Sequence, residues 1–217
     1  MPNHISNILA VSGNKASVKV VFDFIRGDGD QLFDFNKVIP MPEDLNIDSC
    51  SLGEWGLRYV RDNDREAAAH LDTLTPEDRA KAISLGQRYL YNIERFGHTT
   101  WYDWCRANWG TKWNAYYFNE EVEGEDDQIQ FSTAWSAPIP VIEKLSAMFP
   151  DLDFELTYAD EDMGYNTGQI EFNNGEAITS YFPTGGSDEA MELYFKTHPS
   201  SEGYIKKGKD GVWRSID

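Results

Sequence analysis

Cysteine is scarce. Cys50 and Cys105 are the two thiols in 217 residues, too few and too far apart for a disulfide framework or a zinc motif, which fits a reducing cytosol. Long apolar runs are missing as well, and no stretch approaches the length of a membrane span. The opening Met1-Pro2-Asn3-His4-Ile5-Ser6-Asn7 has no basic region followed by an apolar one, so the sequence implies a cytoplasmic chain with no membrane partner. Positive charge is the third shortage. Nineteen Lys and Arg face 37 Asp and Glu, a formal net charge of −18, which excludes direct binding of DNA or RNA as a general property. Cationic partners, or proteins that themselves bind nucleic acid, remain. Catalytic templates are absent too: there is no GxGxxG, Walker loop, HExxH, GxSxG or CxxC. The run Asp160-Glu161-Asp162 with Gly164 and Glu171 resembles a calcium loop, but Tyr165 stands where the loop needs glycine. The sequence therefore implies no cofactor and no metal.

Apolar and aromatic residues are plentiful, at 41% and 14%, enough to build a core. His4 to Ser12 reads as a strand and Lys15 to Arg26 as a helix, with Val18, Val21, Phe22 and Ile25 at helical spacing. Leu32 to Ile39 reads as a short strand or extended segment closed by Pro40-Met41-Pro42. Glu43 to Arg65 has weak periodicity, with Trp55, Leu57, Tyr59 and Val60 as anchors for a short helix or irregular packing. Thr75-Pro76-Glu77-Asp78 has the hydroxyl, proline and acids of a helix start, and the helix runs to about Phe96 with Ala80, Ile83, Leu90 and Ile93 on one face. A second helix follows from Thr100, with Trp101, Trp104 and Cys105 as a core stripe.

Beyond Gly110 the chain turns to strands. Trp113 to Phe118 and Ile129 to Ala134 suggest a hairpin around an acidic tip. A helix from Ala137-Pro138 to Pro150, a strand Leu152 to Tyr158, a hairpin, and a helix capped by Ser187 complete the pattern. For the hairpin, a three-residue loop Asn173-Asn174-Gly175 puts Ile170, Phe172 and Ile178 on one face. The expected architecture is α+β: an antiparallel sheet with helices packed on one face, a helical middle segment and a loose basic tail. The expected partition is 1–110, 111–200 and 201–217.

Two surfaces are candidates for function. Asn108, Trp109, Thr111, Lys112, Trp113 and Asn114, at a helix-to-strand junction, suit a pocket in which an indole stacks a planar ligand such as a small nucleotide and amides read its edges; equally, the tryptophans fill the core and the asparagines serve a turn. Glu120, Glu121, Glu123, Glu125, Asp126 and Asp127 form the acidic tip, read either as a solvated loop or as a phosphate mimic that occupies the nucleic-acid groove of a partner protein.

Pro2-Asn3-His4 with Asn7, Phe35 to Pro42, Trp104-Cys105 with Asn108 to Asn114, and Ala134-Trp135-Ser136 leading into Pro140-Val141-Ile142 together resemble the YubB-like family of conjugative-plasmid and phage proteins. The resemblance implies a ferredoxin-like domain from Trp113 to about His198 and a mobile-element origin, and it carries no established activity. The expected function is non-enzymatic: an accessory protein that binds and blocks or sequesters a host component, plausibly a defence factor, or holds a small nucleotide signal at Asn3, His4 and the Trp109 segment. An enzyme with an unrecognised site near His4, and a structural homo-oligomer, are the alternatives.

Overall fold

The computed structural model describes residues 2–118 and 127–216. Glu120, Glu121, Glu123, Glu125 and Asp126 of the acidic tip therefore lie outside the described residues. In chain order the elements are β1 (His4–Ser12), α1 (Lys15–Ile25), α2 (Ser51–Asp62), α3 (Arg65–Asp72), α4 (Pro76–Phe96), α5 (Trp101–Asn108), β2 (Gln128–Ala134), α6 (Ile139–Met148), β3 (Asp153–Asp160), β4 (Gly168–Asn173), β5 (Glu176–Tyr181), α7 (Asp188–Thr197), β6 (Ile205–Lys207) and β7 (Trp213–Ser215). They form two compact units, Met1–Pro40 with Asn108–Asp217, and Met41–Ala107.

The larger unit is built on a five-stranded sheet of order β2-β1-β3-β4-β5, antiparallel throughout. β1 lies between β2 and β3, so those two run parallel to each other and α6 connects them in a split β-α-β arrangement. This placement redraws the partition at residue 110: the first 40 residues belong with the C-terminal sheet because β1 supplies one of its interior strands. Register puts Ile5, Asn7, Leu9 and Val11 opposite Phe131, Thr133, Phe154, Leu156 and Tyr158 on one buried face. Phe33, Phe35 and Phe131, all fully buried, meet edge to face at 4.9, 5.3 and 6.2 Å, each pair adding about 1 kcal/mol beyond its buried area. α6 packs on β3, β4 and β5, and α7 on β3 and β1. Ser6 and Gln130, on the opposite face from Asn7 and Phe131, donate to the Thr197 carbonyl at 3.0 and 2.7 Å and tie α7 there.

Several segments depart from the sequence reading. Trp113 to Phe118 is not a strand: Tyr116 alone bridges Ser132, and Tyr117 at φ 49° turns the chain away. Leu32 to Ile39 is not extended but holds a 3-10 turn at Phe35–Lys37, capped by Asp34, whose carboxylate accepts from the Asn36 N–H. The β4–β5 turn uses two residues. Asn174 and Gly175 sit at φ 47° and 81°, the left-handed pair that matches strand twist, so Phe172 pairs with Ala177 and a bulge follows at Glu171/Phe172. Ile178 is thereby 60% exposed instead of sharing the face of Ile170. The tail is folded. β6 and β7 pair, Ile205 packs on Ala159, Met191 and Tyr194, and Asp188 accepts from the Lys207 ammonium at 2.6 Å and the Trp213 indole at 3.0 Å.

In the smaller unit, Glu43 to Arg65, read as a short helix or irregular packing, contains the whole of α2. The buried stripe of α4 is Ala82, Leu85, Gly86, Tyr89 and Asn92 rather than Ala80, Ile83, Leu90 and Ile93. Glycine explains the shift: a Cβ on Gly56 would overlap the Ala82 carbonyl, and one on Gly86 the backbone of Gly56, so α2 and α4 touch backbone to backbone. Gly56→Ala is expected to lower stability by about 2 kcal/mol or more, since overpacking against backbone has no side chain to yield. Thermal denaturation followed by circular dichroism checks it, and an unchanged midpoint would contradict this packing.

Candidate functional site

At the start of β1 and the ends of β2 and β3, register brings His4 opposite Ala134 and Ile5 opposite Asp160. Two loops converge on this end of the sheet, 112–117 and 161–166, together with the turn at Trp135. Asp160, buried, organises it: its carboxylate accepts from Asn3 Nδ2 at 3.0 Å, the Asp162 N–H at 3.0 Å and Asn166 Nδ2 at 3.2 Å. Backbone bonds close the ring, Trp135 N–H donating to the Asn3 carbonyl at 3.0 Å and Glu161 N–H to the His4 carbonyl at 2.9 Å.

On this frame sits an aromatic group. The Tyr116 hydroxyl donates to the Thr133 carbonyl at 3.1 Å and lies 2.7 Å from His4 Nδ1. A hydroxyl carries one hydrogen, so with it on the Thr133 carbonyl the contact to Nδ1 is one in which the ring donates. Burial, and then the neighbouring Tyr117 and Glu161, push the Tyr116 phenol up to about 12. Tyr117 lies tilted against His4 at 5.9 Å and edge to face with Tyr116 at 5.0 Å, and Trp113 meets Tyr116 at 6.2 Å. The Lys112 ammonium lies 4.5 Å from the Trp113 ring and 4.7 Å from that of Trp135, a cation held between two indole faces. Trp113, Trp135 and Tyr117 are 37%, 40% and 75% exposed.

The expected site residues thus divide. Asn3, His4, Lys112 and Trp113 meet here. Trp109 does not: it is 3% exposed, its indole N–H donates to the Ile39 carbonyl at 2.9 Å and its ring packs on Phe35, so it offers no platform. Thr111 is buried and exchanges bonds with the Ala134 backbone at 2.8 and 3.1 Å. Asn114 accepts from the Phe35 N–H at 2.8 Å and donates to Asp34 at 2.6 Å, pinning the 3-10 turn. Asn108 ends α5. Asp127, of the acidic tip, is exposed, and its carbonyl accepts from the Val11 N–H at 2.8 Å. Sequence reasoning missed Tyr116, Tyr117, Trp135 and Asn166 as site residues; the positive φ of the last three, 49°, 73° and 44°, has no signature in residue type except for asparagine. The calcium-loop resemblance ends in amides around Asp160, with Glu171 on β4, and among the described residues no three His, Cys, Asp or Glu converge as a metal site.

Residues 112–199 match the family model described as the ferredoxin-like domain in Api92-like protein. The crystal structure of a protein api92 from Yersinia pseudotuberculosis matches at 11% identity and a TM-score of 0.43, covering 86% of this chain and 100% of that one. No curated protein matches. The matched segment contains β2 to α7, while the strand between β2 and β3 comes from residues 4–12. A mobile-element origin does not follow from these matches. Among the described residues no helix is long and apolar enough to cross a membrane.

Tyr116 yields a sign-definite pH test. Its folded pKa lies above the ordinary value of 10, so its contribution is complete below pH 10 and is lost as pH rises through about 12. Tyr116→Phe is expected to reduce stability by about 1 kcal/mol near neutral pH, through two lost hydrogen bonds, and to flatten the alkaline fall. Denaturant titrations on either side of the window check both; parallel curves for the two proteins would refute the assignment.

Proposed function

We propose that this protein is a non-enzymatic binding module that docks a cationic segment of a partner protein on Trp113, Tyr117 and Trp135. One observation carries the reading. Tyr117 and Trp135 are large, exposed aromatics held at φ 49° and 73°, a conformation that costs a non-glycine residue about 1 kcal/mol or more and concentrates at functional sites. Trp and Tyr are also the residue types that dominate binding energy in interfaces. The −18 net charge supports the choice of partner, since it favours rapid encounter with a basic surface. In the setting implied by the mobile-element resemblance the partner is a component of a bacterial host, a defence factor among the candidates, which the protein blocks or sequesters. The acidic tip, as a phosphate mimic, belongs to the same reading.

Lys112 favours a second reading, in which a planar anionic ligand of the nucleotide class stacks on the indoles and neutralises its ammonium. Salt separates the two. Tetra-arginine added to the protein is expected to quench tryptophan fluorescence at low salt and to lose most of its affinity as salt rises, and Trp113→Ala/Trp135→Ala is expected to weaken it about tenfold. Equal affinity for wild type and double variant would sink the proposal; a mononucleotide that binds in a salt-insensitive, Trp135-dependent manner would replace it with the second reading. Tyr117→Gly is expected to weaken tetra-arginine while leaving the melting temperature level or higher, because glycine accepts positive φ without strain. Differential scanning fluorimetry alongside the titration checks that pair of effects.

A further inference from the structure

β5 is the last strand of the sheet and pairs on one side alone, with β4, among the described residues. All six of its residues are exposed, and Ile178, Tyr181 and the adjacent Phe182 are 60%, 48% and 57% accessible. Natural proteins blunt such an edge with lysine, proline, a bulge or a covering loop; β5, Glu176-Ala177-Ile178-Thr179-Ser180-Tyr181, has neither lysine nor proline and relies on a single bulge. Its bulge at Glu171/Phe172 sits directly beside a groove of about 400 Å³. Asp127, Asp153, Glu155, Glu171 and Ile178 line that groove. Two of these carboxylates have partners, Glu155 the Lys196 ammonium at 2.9 Å and Asp153 the Asn173 amide at 2.9 Å, and the lining as a whole is acidic.

We propose that β5 and this groove form a strand-addition site for an extended, lysine- or arginine-bearing segment of a partner protein. Backbone pairing along β5 supplies the affinity, as in other complexes built by adding a strand to an open edge. Charge complementarity selects the occupant. A segment paired with β5 lies two strand spacings, about 10 Å, from β4, so long cationic side chains on its groove side lay their aliphatic stems over Ile178 and reach Glu171 across β5. A second copy of this chain is the poorer occupant because it brings another −18 of charge to the contact. The site is separate from the aromatic patch: the groove adjoins Ser12 and Asp153, the pair at the far end of β1 from His4.

The probe is a short synthetic peptide alternating lysine and valine. It is expected to slow deuterium exchange at the amides of Glu176–Tyr181 and to bind about tenfold more weakly to Ile178→Lys, which charges the edge without touching the core. Glu171→Gln weakens it more modestly, and because the readout is protection of the β5 amides themselves, whatever cationic peptide the aromatic patch also takes up, this site and the patch fail independently. A peptide of equal charge interrupted by glycine and proline binds poorly, as does the version with glutamate for lysine. Unchanged β5 exchange at millimolar peptide would overturn the proposal, as would equal binding by Ile178→Lys or by the interrupted peptide. A concentration-dependent dimer in sedimentation velocity that Ile178→Lys dissolves would overturn it in favour of a second copy.

Discussion

Everything in the larger unit hangs on β1 being bonded along both edges. Its pairing with β2 and β3 holds together residues more than a hundred positions apart in sequence, and its alternation decides what lies on each face. Asn7, at its middle, is buried and polar. The amide donates to the Ile5 and Phe131 carbonyls and the Thr133 hydroxyl at 2.9, 3.3 and 2.9 Å, which fixes the approach of β2 and converts a residue costly to bury into a clamp. Its Oδ1 finds no partner among the described residues. The same strand begins by delivering Asn3 and His4 to the aromatic site. Site and core are therefore not separable: the strand that fills the sheet also sets the geometry of the surface.

What the sequence made legible was local. The bounds of β1 and α4, the caps of α4 and α7, and the arrangement of α6 and β3 followed from period, proline and hydroxyl placement, because those signals act within one or two turns. Where long-range packing decided, the reading failed in a consistent way. A stripe of large aliphatics on α4 lost to Ala82 and Gly86 because close backbone approach to Gly56 favours the smallest residues. Two adjacent asparagines left the hairpin loop ambiguous, and the face argument for Ile178 yielded to the twist preference of Asn174-Gly175. At the site, Lys112 and Trp113 were found from their neighbourhood, whereas Trp135 was hidden because its outward pose depends on a backbone angle. Trp109 and Asn114 were drawn to the same segment by composition, and the structure spends them on holding residues 34–39.

Scarcity of positive charge also has a structural expression. Lys19, Arg58, Arg61, Arg79, Lys196, Lys207 and Arg214 each sit against a carboxylate, and Lys112 lies on two rings. Such exposed pairs add little stability individually. Their collective effect is on the field: each pair cancels one acid against one base, and the acid that has no such partner makes up the net charge of −18.

The position of β1 between β2 and β3 carries a consequence for the newborn chain. A strand translated early and completed by partners translated late must wait, and at roughly 5–20 residues per second that wait is on the order of ten seconds. During it, the apolar alternation Ile5, Leu9, Val11 has neither neighbour, whereas α2 and α4 can close on each other as soon as they emerge. Synthesis thus orders assembly, with the helical segment first and the sheet last. The interval in which β1 stands open is when a chaperone, or a wrong strand, has access to it.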